Sequence, residues 1–535
     1  MAAPGLETAD AEFLTDIKRM SWTILAASSL SSSARLLEPP LWVFNPPGVE
    51  PFDAAWNNFR LVTSLSGVLL IVFLLVGGLL GDLYGRRRIW MIGLVGFIVC
   101  NLLIMAFPGL AWRIVLQFCA LAFGSLFAPL ILATLNLTFP DRSRTLAFAI
   151  FVSVNAIALQ LAWLQGQFLS ARFGWRAAYV LPILAAIASA VWVYRVVPEA
   201  RSGGQRRFET YVYSGWTLVV LATVFGLTVV PVASDLWRIV LGAAVLAGVV
   251  GIVMVMWWDI RAPGDLLLHR TVRTRDLTVL VITGAILQFL LIGFSQRTLS
   301  MFQVVREMPA IVAAIALAPM LFGLSAATFV FLKTMDNLMA RAVIAGGLGL
   351  MAAALAGAAL MPYTAGYLLF SLPLAVFGAG FLIANVIWTS AFLRTAVARH
   401  HGVNAGISSA TGAIGGAIGS VVTGNLLAML GLEIYGRQLT QAGVNVVEAI
   451  EALRGFQALA TLDPVDIAVS TEFLHFDLVA SYRTAFAAAY AQVLWVMVAF
   501  ALASATVIGL GLRRSLLARE PSRRARRNED DPNLA

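Results

Sequence analysis

Long stretches of apolar residues alternate with short polar segments along most of the chain. About 20 predominantly apolar residues are needed for a helix to cross a bilayer, and fourteen stretches approach that length. They lie near residues 20–43, 61–81, 89–108, 112–138, 145–170, 176–196, 213–234, 238–258, 277–300, 309–332, 342–362, 366–391, 402–430 and 484–512. The pattern therefore predicts fourteen transmembrane helices.

Composition supports a membrane protein built only of helices. Hydrophobic residues make up 60% of the 535, charged residues make up 12%, and the mean hydropathy is +0.86. Only helices and closed barrels cross a bilayer, and barrel strands would alternate in polarity at every second residue, which this chain does not do. Residues 1–19 are polar and lack the apolar core of a signal peptide. We expect an all-α integral membrane fold with an uncleaved first span.

The basic charge follows the predicted topology. The net charge is +9, and most lysines and arginines fall in alternate loops and in the C-terminal tail, as the positive-inside rule requires when both termini are cytoplasmic. We therefore expect a multi-pass protein of the plasma (inner) membrane that contacts the lipid bilayer and no nucleic acid. Residues 431–483 are predicted to be an extracellular loop with two short amphipathic helices, and residues 513–535 a disordered cytoplasmic tail.

The second predicted span ends in an unusual set of charged residues. Residues 78–88 read Gly-Leu-Leu-Gly-Asp-Leu-Tyr-Gly-Arg-Arg-Arg. The segment resembles motif A of the major facilitator superfamily, with Leu83 where that family commonly has an arginine, and Asp336 and Arg341 occupy the corresponding place after the tenth span. The resemblance implies a gate formed by Gly78, Asp82, Gly85, Arg86 and Arg87. It also implies two six-helix bundles, 20–196 and 277–512, joined by a linker with two extra spans, 197–276.

Other segments are similar to the fourteen-span, drug:proton antiporter-like branch of the same superfamily. Gly174-Trp175-Arg176 precedes the sixth span, and Val197-Pro198-Glu199 follows it. Asn404-Ala-Gly406 and the glycines at 412, 415, 416, 419 and 424 resemble the small-residue thirteenth span of that branch. We expect most of these glycines to serve close helix packing.

The residues that the branch associates with proton coupling are displaced. The arginine expected in the fourth span aligns with Gln117, while Arg113 lies one turn further out. The acid expected in the first span aligns near Ser31, and Arg35 and Glu38 lie just beyond it. In the fifth span only Gly166 remains of the expected Gly-Pro and Gly-Gly pairs. Our hypothesis is that Glu38, with Arg35 or Arg113, replaces the missing pair; the alternative is that these side chains reach water at the outer interface.

Polar side chains inside predicted spans are candidates for a substrate cavity. They are Asn155, Gln160, Gln165, Gln288, Gln296 and Asn385. Polar groups in spans often face a cavity and equally often bond neighbouring helices. A site rich in amides and poor in charge suits an amphipathic or lipophilic organic solute.

These features predict a monomeric secondary active transporter that exports a small organic solute or drug by alternating access. We expect the proton gradient to be the energy source and no cofactor to be needed. The alternatives are an uncoupled facilitator or importer, which the altered fifth span favours, and a non-transporting receptor or scaffold. An enzyme is not expected, because the sequence has no nucleotide-binding loop and no nucleophile motif. The pair His400-His401 lies in a basic loop, so it is interpreted as topology rather than as a metal site.

Overall fold

The computed structural model of the chain describes residues 4–38, 70–107, 110–139, 141–199, 275–334, 340–394, 401–441 and 478–511. Apart from short turns these residues are helical, and no strand occurs among them. The predicted all-α fold is therefore confirmed. The seventh and eighth predicted spans lie outside the described residues, as does Asp336.

The first half contains six long helices. They are α1 (Pro4–Leu36), α2 (Leu70–Tyr84), α3 (Arg86–Ala106), α4 (Leu110–Thr138), α5 (Asp141–Phe173) and α6 (Val180–Val196), with a 3-10 helix at Trp175–Tyr179 before α6. The second half contains α7 (Arg275–Val304), α8 (Ala310–Ile315), α9 (Ala318–Thr334), α10 (Ala340–Leu360), α11 (Tyr367–Arg394), α12 (His401–Gln441) and α13 (Leu478–Gly511).

Eight helices of the described chain are long and apolar enough to cross a membrane, and three further apolar helices are shorter. Several boundaries differ from the sequence prediction. Helix α1 ends at Leu36 rather than near residue 43, because the following Pro39-Pro40 pair disfavours helical backbone in the residues before it. The tenth predicted span is divided into α8 and α9 by a turn at Ala316 and Leu317.

The predicted extracellular loop is shorter than expected at both ends. Helix α12 continues to Gln441, so its 41 residues extend for about 60 Å, which is twice the thickness of the hydrocarbon core. Helix α13 begins at Leu478, before the predicted start of the last span. Residues 442–477, which include the remaining part of the two predicted amphipathic helices, lie outside the described residues.

The helices pack as two bundles that meet along a few helix pairs. Helices α1 and α6 and helices α3 and α4 make the largest contacts in the first bundle, and α7–α12, α10–α11 and α10–α13 do so in the second. Between the bundles, α4 packs on α12, and α5 packs on α8, α9 and α11. Helix α2 adds a contact with α12, because Ile71 and Ala410 lie in one apolar cluster. The bundle interface is therefore built from α2, α4 and α5 of one half.

Glycines allow α7 and α12 to pack closely. A Cβ atom on Gly415 would lie 2.1 Å from the carbonyl oxygen of Ala285, and one on Gly419 would lie 2.4 Å from that of Phe289. No side chain fits at those distances, so these two glycines serve close backbone approach. Gly436, on the same helix, has no neighbouring atom within 4 Å of the same position.

We expect Gly415→Leu to destabilise the protein, because the new side chain must push α12 away from α7. Overpacking of this kind costs about 1–3 kcal/mol or more. Thermal unfolding of the purified protein in detergent should show a clearly lower midpoint.

Gly436→Leu is the matched control, since it places the same side chain on the same helix in open space. Its midpoint should equal or exceed that of the native protein, because leucine favours helix over glycine by about 1 kcal/mol. Equal losses in both variants would contradict the packing role of Gly415.

Candidate functional site

The carboxylate of Asp82 joins the two bundles at the end of α2. Its Oδ2 and Oδ1 atoms accept hydrogen bonds from the backbone N–H of Gly402, at 2.9 and 3.2 Å. Arg86 Nη2 donates to Asp82 Oδ1 at 2.9 Å, and both side chains are about 5% exposed. Gly402 is the second residue of α12, so the carboxylate satisfies an N–H group of the first turn and interacts favourably with the helix dipole. One buried acid therefore binds an arginine of its own bundle and a helix terminus of the other.

Glycines bring α2 and α12 close enough for this contact. A Cβ atom on Gly78 would lie 2.3 Å from the carbonyl oxygen of Gly402, and one on Gly402 would lie 2.6 Å from Asp82 Oδ1. Gly85 has φ 108°, a conformation that favours glycine, and it makes the sharp turn from α2 to α3. We call this contact of Gly78 and Asp82 with Gly402 and Gly406 the α2–α12 seam; it is closed in this structure.

The other two arginines of the motif face α6 rather than the seam. The guanidinium of Arg87 lies 5.1 Å from the ring centre of Tyr194. Arg88 lies 3.9 Å from the Glu199 carboxylate, in an exposed pair that contributes little to stability. Four of the predicted gate residues therefore lie at the seam or at the adjacent turn from α2 to α3: Gly78, Asp82, Gly85 and Arg86. The fifth, Arg87, packs on Tyr194 of α6 instead.

A second polar group lies at the other end of the first bundle, and we call it the Glu38 cluster. It consists of Arg35, Glu38, Asn101, Arg113, Gln117 and Tyr179. Gln117 Nε2 donates to Glu38 Oε1 at 2.6 Å, and the Tyr179 hydroxyl donates to Gln117 Oε1 at 3.2 Å. Arg35 and the Asn101 amide also interact with the Glu38 carboxylate. The four residues predicted to couple transport therefore lie in one connected group.

Arg113 contacts the aromatic side chains of Trp175 and Tyr179. Its guanidinium lies 4.5 Å from the ring centre of Trp175, and its Nη2 lies 3.5 Å from the Tyr179 hydroxyl. Arg176 packs against Trp175 as well and donates its Nε–H to the Met105 carbonyl at 2.9 Å. The Gly-Trp-Arg segment thus begins with the turn at Gly174 (φ 82°) and ties the 3-10 helix to α3 and α4.

The members of the Glu38 cluster differ in their burial. Arg113 is 4% exposed, Gln117 is 9% exposed and Asn101 is fully buried. Side chains that extend to interfacial water would keep their polar ends exposed. Arg35 passes α4 beside Gly124, where a Cβ atom would lie 3.1 Å from the arginine Cγ. Arg35 and Glu38 themselves are partly exposed, so the cluster combines buried and partly exposed side chains.

Sequence reasoning missed Asn101 and Tyr179. Asn101 is a polar residue in an otherwise apolar helix, which is a signal in membrane segments. Tyr179 lies four residues after Trp175, and the centres of the two rings are 6.3 Å apart; no local pattern in the sequence marked it as a partner of α4.

The predicted cavity residues fall into three groups. Gln165 Nε2 donates to the Leu37 and Ala178 carbonyls at 3.0 and 3.2 Å, so this amide connects α5 to the end of α1. The Asn155 and Asn385 amide oxygens are buried and have no hydrogen-bond partner among the described residues. On the face of α7 toward α12, Gln288 lies beside Gly412, and Gln296 accepts a hydrogen bond from Ser420 Oγ at 2.5 Å. The side chain of Gln160 lies outside the described residues.

Two helical bundles with a seam between them, and with charged residues buried at both ends of one bundle, define a membrane transporter. The sequence profile of the Major Facilitator Superfamily matches residues 22–420, and the chain belongs to that superfamily. The predicted resemblance is thereby confirmed at the level of the superfamily, and the protein is a membrane transporter.

Two relatives similar in sequence are named as drug or antibiotic resistance proteins, and one of them also as an export protein. The chain is 24% identical over 415 residues to the tetracenomycin C resistance and export protein of Streptomyces glaucescens. The aligned residues cover 77% of this chain and 76% of that protein. It is 24% identical over 408 residues to the multidrug resistance protein Stp of Mycobacterium tuberculosis, covering 70% of each. The crystal structure of the human organic anion transporter MFSD10 is similar in fold, with a TM-score of 0.55 at 14% identity over 91% of this chain and 99% of that one.

We expect Asp82→Asn to loosen the α2–α12 seam, because a neutral amide binds the helix terminus and Arg86 more weakly than a carboxylate does. Leu79 packs against Ile407 at this seam and is 9% exposed, so a cysteine there reports opening. In a protein with Leu79→Cys, Cys100→Ala and Cys119→Ala, maleimide labelling should become several-fold faster when Asp82→Asn is added.

Arg88→Gln is the control, because it removes an exposed charge of the same motif that does not touch α12. It should leave the labelling rate unchanged. An unchanged rate in Asp82→Asn would show that the carboxylate does not hold the seam closed.

Proposed function

We propose that this transporter exports an amphipathic organic solute across the plasma membrane by alternating access, with the proton gradient as its energy source. The names of the relatives favour export, since they are resistance and export proteins. The observation that supports proton coupling is the 2.6 Å hydrogen bond between Glu38 and Gln117 in a partly buried cluster that also contains Arg35.

The α2–α12 seam supplies the gate in this proposal. Opening the cavity toward that side separates Asp82 from the Gly402 N–H and parts the glycine contacts at Gly78. A two-state carrier changes state when a ligand or proton binds one state more tightly than the other. The Asp82 contacts favour the closed state, and substrate or proton binding must supply the energy to break them.

The Glu38 cluster supplies the coupling site. A carboxyl group surrounded by an arginine, two amides and a tyrosine is partnered when it is charged, and its proton affinity depends on how those partners are placed. Any movement of α4 relative to α1 alters the distance between Gln117 and Glu38. Proton binding at Glu38 is thereby linked to the arrangement of the helices.

With both termini in the cytoplasm, the seam faces the inside of the cell and the Glu38 cluster faces the outside. Helix α1 then runs outward and ends at Leu36, next to Glu38. Protons would reach the cluster from the outer side, where the electrochemical gradient makes them abundant, and the monomer would release them inside. That direction of proton flow suits an exporter.

The solute would bind where the bundles meet. Asn155 on α5 and Asn385 on α11 have amide oxygens without partners among the described residues, and their helices contact one another across the interface. Amides among apolar side chains suit a solute that is largely apolar with a few polar groups.

We expect Glu38→Gln to abolish proton-driven export while the protein still folds, because glutamine keeps the shape of glutamate and cannot exchange a proton. The native protein is first expressed in a pump-deficient bacterial host, and a panel of polycyclic antibiotics is screened for a compound to which the protein confers resistance. Inverted vesicles whose interior is acidic should accumulate that compound. In vesicles with Glu38→Gln the accumulation should fall to the level measured without a pH gradient.

Glu433→Gln is the matched control. Glu433 is an exposed acid on α12 that pairs with Arg437 outside the cluster, so its removal should leave gradient-driven accumulation intact. Equal uptake with and without a gradient in the native protein would identify an uncoupled facilitator instead. Undiminished coupling in Glu38→Gln would place the proton site elsewhere.

A further inference from the structure

Arg297 on α7 belongs neither to the seam nor to the Glu38 cluster. It lies seven residues before the end of α7 at Val304 and is half-buried. Among the described residues its buried Nε–H has no hydrogen-bond partner, and its Nη2 reaches only the neighbouring Gln296 Oε1, at 3.4 Å. Among the ion pairs of the described residues, none involves Arg297.

An arginine in this position is costly. The guanidinium stays protonated under all physiological conditions, and an uncompensated charge within a membrane bundle destabilises the fold. Arg306, at the end of the same helix, shows how this chain accommodates such a charge. Its guanidinium donates to the Ala365 carbonyl at 2.8 Å and lies over the rings of Phe302 and Phe370. Arg297 has no comparable set of partners.

The position of Arg297 is on the interface between the bundles. Its Nη1 lies 3.2 Å from the place of a Cβ atom on Gly424 of α12. On that helix Ala410, Ala413 and Ala417 pack in the cluster that contains Ile71 of α2. Gly424 follows Ala417 by seven residues, which is two helical turns, so it lies on the same face. Arg297 therefore lies against the face of α12 that turns toward the first bundle, about 10 Å beyond the described α2 contact.

Neighbouring groups add hydrogen-bond donors. Ser420 Oγ donates to Gln296 Oε1 at 2.5 Å, and Ser420 lies one turn from Gly424 on the same side of α12. This bond occupies the acceptor of the Gln296 amide and leaves its NH₂ group as a donor. A guanidinium beside an amide NH₂ group is suited to binding an anion.

We propose that Arg297, assisted by Gln296, recognises the negatively charged group of an organic anion with a single carboxylate or similar group. The proposal rests on the proposed function, in which the bundle interface holds the solute, and it adds the charge of that solute. A bound carboxylate would compensate the half-buried guanidinium and accept two parallel hydrogen bonds from it. The solute would then be both substrate and counter-ion.

The test compares three probes with one skeleton and different charge: naphthoate, naphthamide and naphthylmethylammonium. Their binding to the full-length protein in phosphatidylcholine nanodiscs is measured by scintillation proximity at neutral pH, and binding to empty nanodiscs is subtracted. The native protein should bind naphthoate about tenfold more tightly than naphthamide, and the ammonium probe most weakly, because hydrogen bonds to charged groups are the stronger ones.

Arg297→Gln should bind naphthoate and naphthamide equally, and Arg297→Lys should keep a smaller preference for naphthoate. Native affinity for naphthamide in Arg297→Gln shows that this variant is folded. Arg437→Gln is the control for net charge, because Arg437 is an exposed arginine further along α12; it should retain the full preference.

The proposal is overturned if the native protein shows no preference for naphthoate, or does not bind it up to its solubility limit. It is also overturned if the preference survives in Arg297→Gln, as it would if the arginine faced lipid headgroups. These measurements use no pH gradient, so they are independent of proton coupling. A native protein that shows no charge preference but still exports its solute in a Glu38-dependent manner would refute this inference alone.

Discussion

The low dielectric constant of the membrane interior is the constraint on which this structure depends. A charge taken out of water must find partners, or the fold is destabilised. Asp82 meets the requirement with Arg86 and the first turn of α12, and Glu38 meets it with Arg35 and two amides. In both cases the partner comes from another helix or from the next turn, so satisfying the charge also determines how helices are placed. Charges that are satisfied by tertiary contacts change partners when the helices move.

Helix α4 connects the two charged sites physically. Gln117, in its N-terminal part, donates a hydrogen bond to Glu38, while further along the helix Leu126 and Leu130 pack against Gly77 and Gly81 of α2. Helix α4 also packs on α12 of the other bundle. Because close-packed helices move as rigid elements, a shift of α4 at the Glu38 cluster reaches the α2–α12 seam. Within the proposed function, this contact is the route by which proton binding at one end of the bundle affects the gate at the other.

Glycine decides where helices approach most closely, and the described part of the chain uses it in two ways. At Gly415 and Gly419 it brings α7 and α12 together within one bundle, where the contact is permanent packing. At Gly78 and Gly402 it brings α2 and α12 together across the bundles, and in the proposed function this contact opens during transport. The local geometry is the same in both places. Only the neighbouring carboxylate of Asp82 distinguishes a seam that can be controlled by charge.

Hydropathy and a local motif were enough to predict the helical class, many of the spans, the superfamily and the residues around Asp82, because neither signal depends on distant contacts. The sequence also indicated Arg35, Glu38, Arg113 and Gln117 as candidates, although periodicity could not show whether they faced water or each other. Only the tertiary structure decided that they meet in the bundle, that Tyr179 joins them, and that Gln165 is used in packing. The reason is physical: a partner for a buried charge is chosen by which helices touch, and residues such as Glu38 and Gln117 touch across 79 positions of the chain.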